Sequence, residues 1–149
     1  MKSQSEQAQL LVAVFGHQRK GCDNESYMRG AEYIGLGTVS GFSLYLDGGL
    51  PVVRRSERGR GSSVVVDIFK VTLEVLARLD ICEGYCPAPD GNTDACATER
   101  VQVIVHPITK TPDNEIYSCF LYVYKLPVFN NAIRIHDGDL ISYLGRRHE

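Results

Sequence analysis

The segment Tyr33-Ile34-Gly35-Leu36-Gly37-Thr38-Val39-Ser40-Gly41-Phe42-Ser43-Leu44-Tyr45-Leu46 constrains the fold more than any other part of the chain. β-Branched and aromatic residues favour extended backbone, and glycines set among them let a strand bend sharply or pass close to a neighbour. The combination predicts a strongly bent hairpin of the kind that small barrels use at their corners. Asp47-Gly48-Gly49 predicts a turn before Pro51-Val52-Val53. Residues 10–15 form a continuous apolar run suited to a strand buried on both faces, and residues 63–71, 100–106 and 116–124 read as further strands. The last of these carries three tyrosines, whose rings suit a core and whose hydroxyls suit its rim.

Helices are short by this reading. Leu73, Leu76 and Leu79 recur at helical spacing with Thr72 available as N-cap, which predicts a helix over residues 72–79. Residues 24–30 predict a short helix or turn, and Leu140, Ile141 and Leu144 predict a helix capped by Asp137 or Asp139 that ends near Gly145. About six strands and two or three short helices make an α+β fold, a small mixed six-stranded β-barrel with flanking helices, the expected class. At 149 residues and 44% hydrophobic content the whole chain, residues 1–149, is expected to form one domain, with residues 1–8 a flexible lead.

A formal net charge of −2 argues against nucleic acid or an anionic membrane surface as the main partner. The most basic stretch, Arg54-Arg55-Ser56-Glu57-Arg58-Gly59-Arg60-Gly61, reads as a solvated connection between two strands. No apolar run approaches the roughly 20 residues of a membrane span. The polar start Met1-Lys2-Ser3-Gln4-Ser5-Glu6-Gln7 lacks a signal-peptide core, so the expected location is the cytoplasm. The five cysteines, Cys22, Cys82, Cys86, Cys96 and Cys119, are expected as reduced thiols. Cys82, Cys86 and Cys96 with His106 match no common zinc spacing, so no metal is expected.

Two features carry chemistry. Glu83, in Leu79-Asp80-Ile81-Cys82-Glu83-Gly84-Tyr85, places a carboxylate directly after the predicted helix and before a glycine. Facing a cleft, it would be desolvated towards a neutral pKa and could serve as a general base. Gly16-His17-Gln18-Arg19-Lys20-Gly21, which follows the first strand, can turn backbone amides towards an anion or a polarised carbonyl.

These features in this order, from Val14-Phe15-Gly16-His17-Gln18 through Gly35, Gly41, Pro51, residues 64–71, Leu79-Asp80 to Glu83-Gly84-Tyr85, Arg100-Val101-Gln102-Val103 and Leu121-Tyr122-Val123, resemble the gamma-glutamylcyclotransferase-like family, which includes the AIG2-like proteins. The resemblance runs over residues 10–144, and Gly138-Asp139-Leu140 with Tyr143-Leu144 resembles a closing motif of many members. It implies a six-stranded barrel and a small-molecule gamma-glutamyl substrate, cyclised to 5-oxoproline with release of an amine. It implies Glu83 as the catalytic base, Phe15, Gly16, His17, Gln18 and Arg19 as the substrate-binding loop, Tyr122 as a pocket wall, and neither metal nor organic cofactor. The family loop usually reads Tyr-Gly-Ser/Thr-Leu, so hydroxyls are lost at Phe15 and His17; Val66 replaces a glycine and Thr98 a tyrosine. Those departures leave a non-catalytic binding protein on the same fold as the alternative, and the oligomeric state is not indicated.

Overall fold

The computed structural model describes residues 10–22, 25–57, 62–108 and 115–147. The predicted flexible lead, Asn24, and Arg58 to Gly61 of the basic stretch lie outside the described residues. Strand β1 is Leu10–Val14, followed by a 3-10 turn at Glu25–Met28. Strands β2 (Glu32–Ser40), β3 (Phe42–Asp47), β4 (Leu50–Arg55) and β5 (Ser63–Val71) lead into helix α1 (Leu73–Glu83). Strands β6 (Thr98–Pro107), β7 (Tyr117–Tyr124) and β8 (Ile133–Ile135) and helix α2 (Leu140–Arg147) complete the order.

Among the described residues a mixed barrel closes through β1-β5-β2-β6-β7, and a three-stranded sheet β4-β3-β8 stands beside it. The barrel therefore has five strands where six were expected. The difference originates in the segment that most constrained the sequence reading. Residues 33–46 do not fold back on themselves as a hairpin. β2 pairs with β5 and β6, whereas β3 pairs with β4 and β8, so the chain leaves one sheet for the other at Gly41. Gly41 donates its amide to the Ser62 carbonyl and accepts from the Ser56 amide, at 2.9 Å each, so the crossing residue stays hydrogen-bonded. Gly48-Gly49 makes the expected two-residue turn, joining β3 to β4 with Asp47 opposite Leu50. Arg54 and Arg55, expected in a connection, belong to β4, and Arg55 lies 3.8 Å from exposed Glu99.

β1 is antiparallel to β5, with Val14 opposite Asp67, and parallel to β7 at Val12 and Phe120, the contact that closes the barrel. Alternating side chains of the barrel strands, Val12, Val64, Val66, Ile68, Val105 and Leu121, are buried. Burial of a Val or Leu side chain contributes about 1.5–3 kcal/mol, so this interior supplies much of the driving force for closure.

Thr72 caps α1, its hydroxyl accepting from the Val75 amide at 3.1 Å. The buried face is Val75, Leu76 and Leu79; Leu73, expected on that face, is 75% exposed in the first turn. The helix also runs a full turn further than predicted and includes Glu83 as its last residue, where a position beyond the helix was expected. Gly84, at φ 78°, ends it, with Gly84 N–H donating to the Ile81 carbonyl and Tyr85 N–H to the Asp80 carbonyl, a Schellman arrangement.

Asp139 caps α2, accepting from the Ser142 amide at 3.2 Å, and the helix passes through Gly145 to Arg147. Just before it, Gly138 holds φ 68° and accepts from the Val65 amide at 2.8 Å, stitching this end of the chain to β5. A Cβ at Gly138 would be driven into the Ser63 backbone carbonyl. Among the described residues no helix is long and apolar enough to cross a membrane. Gly138→Ala is expected to lower unfolding free energy by about 3 kcal/mol or more. Urea melts of the variant and wild type measure the loss, and an unchanged midpoint would contradict the close approach.

Candidate functional site

The end of β1 delivers the glycine loop. Phe15 is buried, and Gly16 follows where Pro51 of β4 comes close enough that an added Cβ would sit 3.2 Å from the proline ring. The Arg19 amide donates to the Gly16 carbonyl at 3.0 Å, closing a turn. That bond leaves the central amides, those of His17 and Gln18, uncommitted to the turn itself.

The Arg19 side chain does not line the cleft described below. It is 3% exposed, with Nε 3.5 Å from Asp67 of β5 and a terminal nitrogen donating to Asp139 at 2.9 Å. The next amide, Lys20 N–H, donates to the same Asp67 carboxylate at 2.7 Å. Arg19 was expected in the substrate-binding loop; its guanidinium instead anchors the loop to a barrel strand and to the cap of α2. The physical reason is charge: buried Asp67 needs a cation, and Arg19 is the residue the turn brings to it.

Glu83 arrives from the other side. Leu79 of the same helix face is buried in the core, so Glu83, one turn on, stands over the barrel edge. Its carboxylate accepts from Gln18 Nε2 at 3.0 Å. Glu83 is half-buried, and desolvation pushes its pKa up to about 7, the Gln18 hydrogen bond opposing part of that rise. Beside it, Asp80 accepts from the Tyr122 hydroxyl at 2.6 Å and receives Arg100 on both oxygens at 2.7 and 2.6 Å. Arg100 is held between the Tyr85 and Phe120 rings, at 4.9 and 4.8 Å. Burial and then Asp80 push the Tyr122 phenol up, so it stays a donor.

Between these parts lies a cleft of about 430 Å³. Loop residues Phe15, Gly16, His17 and Gln18 form one wall, the helix end at Ile81 to Gly84 a second, and β4 of the neighbouring sheet a third. Tyr27, Ala97, Thr98, Tyr122 and Tyr124 complete it. Of the residues singled out from sequence, Glu83, Phe15, Gly16, His17, Gln18 and Tyr122 thus line one cleft, while Arg19 does not. Cys82 is exposed at the cleft, Cys86 is exposed and Cys96 buried; among the described residues no three His, Cys, Asp or Glu side chains converge as metal ligands would. Asp80 and Arg100 stand in the segments that carry the family resemblance, but neither was given a role in the site. Asp80 stands three residues before Glu83 and so on a neighbouring part of the helix face, which was a usable signal; the pairing of Arg100 with Asp80, 20 residues apart, had no local one.

Fold and cleft together define a class: a small closed barrel carrying a half-buried carboxylate beneath a glycine-initiated loop. The family model "Gamma-glutamyl cyclotransferase, AIG2-like" matches residues 12–142, and the chain belongs to that family. Among solved structures, an uncharacterized protein of Pyrococcus horikoshii superposes with TM-score 0.65 at 22% identity, covering 93% of this chain and 96% of that one. An AIG2-like protein of Mus musculus gives TM-score 0.63 at 22% identity over 81% and 86% of the two chains. Allophanate hydrolase of Kluyveromyces lactis gives 0.67 at 16% identity, covering 98% of this chain but 22% of that one. No curated protein matches the chain.

Two measurements check the site. Folded Glu83 holds its proton to about pH 7, whereas an unfolded carboxylate releases it near 4.5, so the wild type loses stability as pH rises between those values. Glu83→Gln is therefore expected to match the wild type near pH 4 and to exceed it at pH 8 by about 2 kcal/mol, read by melts across pH; a difference independent of pH would contradict the shift. Arg19→Met, which leaves Asp67 buried without its cation, is expected to cost about 3 kcal/mol at neutral pH in the same melts.

Proposed function

We propose that the chain is an enzyme that cyclises a gamma-glutamyl amide or amine to 5-oxoproline, with Glu83 as general base. The observation that carries the reading is the meeting of one carboxylate, its pKa raised to about 7, with the glycine loop in a single cleft. Family membership supports the gamma-glutamyl class of substrate.

The substrate's glutamyl end lies against the loop with its α-amino group beside Glu83. Glu83 takes a proton from that group, and the freed lone pair attacks the γ-carbonyl carbon of the same molecule. Negative charge developing on the carbonyl oxygen faces the amides of His17 and Gln18. Collapse breaks the bond to the leaving nitrogen. The attacking nitrogen ends with one hydrogen and the leaving nitrogen gains two, so Glu83 passes protons from one to the other and finishes ionised. No water is consumed. Because the nucleophile is tethered to its electrophile, orientation supplies much of the acceleration, and a base with pKa near the working pH supplies more. Tyr122, held by Asp80, gives the cleft a rigid wall.

The test is 5-oxoproline release from a panel of gamma-glutamyl amino acids, gamma-glutamyl amines and glutathione. Turnover is expected to rise with pH through about 7 and to fall by a factor of about 10² or more in Glu83→Gln; undiminished turnover in that variant would sink the assignment. Gln18→Leu removes the bond that opposes the shift, so the rising limb is expected to move to higher pH.

A second reading is a pocket that binds without turnover. It is favoured by the Gln18 amide, which already occupies a Glu83 oxygen, and by the absence of hydroxyls at Phe15 and His17. Ligands that raise the melting temperature equally in wild type and Glu83→Gln, with no product, would mark that outcome.

A further inference from the structure

We propose that a groove on the outer wall of the barrel, separate from the cleft, is a second ligand site that takes a small planar aromatic group carrying a carboxylate. The groove measures about 480 Å³, and Lys20, Glu25, Met28, Arg29, Tyr33 and Phe69 are among its walls. It shares no lining residue with the cleft. The two are neighbours at the Glu25–Met28 turn, whose Tyr27 lines the cleft, and along the loop, where Gly16 to Gln18 line the cleft and Lys20 the groove.

The groove follows from an irregularity in β2. Val64, Val66 and Ile68 of β5 fill the barrel interior, so alternation turns Asp67 and Phe69 to its outer face. Gly35 pairs with inward-facing Ile68, and regular alternation would turn Tyr33, two residues earlier, inward as well. A bulge between Tyr33 and Gly35 inserts one residue, pairs Tyr33 with Phe69 and brings its ring outside. The two rings meet edge to face with centroids 5.5 Å apart. Phe69 and Met28 are buried, while Tyr33 remains 39% exposed. A ring left partly in water above a buried apolar floor gains by covering from a flat apolar group.

Charge supplies the second half of the argument. Lys20 Nζ stands 4.6 Å above the Tyr33 ring, and exposed Arg29 borders the same groove. Among the described residues neither side chain is in an ion pair, whereas Arg19 and Arg100 both are. Glu25 is the carboxylate of the groove, so two cations face one anion. Both cations spring from fixed backbone. The Lys20 amide donates to Asp67 at 2.7 Å, the Arg29 amide donates to the Ser26 carbonyl at 3.1 Å, and the Arg29 carbonyl accepts from Arg78 at 3.1 Å. A ligand carboxylate draws the Lys20 ammonium off the Tyr33 face into a charge-assisted hydrogen bond, and the vacated face receives the ligand's ring. A cationic ligand would meet the charge excess of the groove, and a neutral one would leave it unanswered.

Naphthylacetate and its neutral counterpart naphthylacetamide isolate the charge, each titrated calorimetrically into the full chain. The acid is expected to bind one site saturably with Kd of about 1 mM or tighter, and the amide at least about threefold more weakly. Lys20→Gln with Arg29→Gln, both at exposed side chains, is expected to erase that preference. Tyr33→Leu is expected to weaken both compounds at least about threefold, and Glu83→Gln, inside the cleft, to leave both affinities unaltered. Absence of saturable binding, or an acid bound no more tightly than its amide, would overturn the proposal. So would affinities that respond to Glu83→Gln while the Lys20 and Arg29 changes leave them untouched, since that places the compounds in the cleft.

Discussion

The charge cluster of buried Arg19 and Asp67 with half-buried Asp139 is the constraint on which the site depends. Three parts of the chain far apart in sequence, the loop after β1, strand β5 and the cap of α2, meet through one guanidinium. Desolvating these groups carries a penalty that only their mutual hydrogen bonds offset, so the arrangement is stiff: displacing any one member strands the others. The Lys20 amide on Asp67 and the Gly16–Arg19 turn complete the pinning. Loops usually move, yet one proposed to bind substrate through backbone amides must hold them still. Here stillness comes from a buried salt bridge behind the loop.

A second polar network does the same for the opposite wall. Asp80, one turn from the end of α1, collects Arg100 and the Tyr122 hydroxyl, and the Arg100 plane is held between two rings. Glu83 stands between the two networks with one side-chain hydrogen bond among the described residues, from Gln18. The contrast is chemically sensible. Charges that hold the frame are paired, while the carboxylate proposed for proton transfer is desolvated, which is what raises its pKa.

Much of the fold was legible. Apolar runs and glycine punctuation placed β1, β5, β6, β7 and the β3-β4 turn within a residue or two, because local backbone preference and burial agree there. The bent hairpin over residues 33–46 was misread, since β-propensity reports that a segment is extended and says nothing of its partners. Only hydrogen bonding to β5 and β6 on one side of Gly41, and to β4 and β8 on the other, separates one sheet from two. Leu73 shows a similar limit: spacing put it on the buried face, but the first turn of α1 projects past the barrel and leaves it in water.

The sequence by itself determined the family and most of the order of elements, because these are written in local residue types and spacing; the pairing of a glycine loop with the carboxylate before Gly84 was implied by the family resemblance. Tertiary structure alone decided what those residues do to one another. It anchored the Arg19 guanidinium on Asp67 and Asp139, joined Asp80 to Arg100 and Tyr122, and desolvated Glu83 against the barrel edge. Charge pairing and desolvation depend on which groups lie within a few ångströms in space, and in a barrel closed by β1 and β7 those neighbours come from opposite ends of the chain.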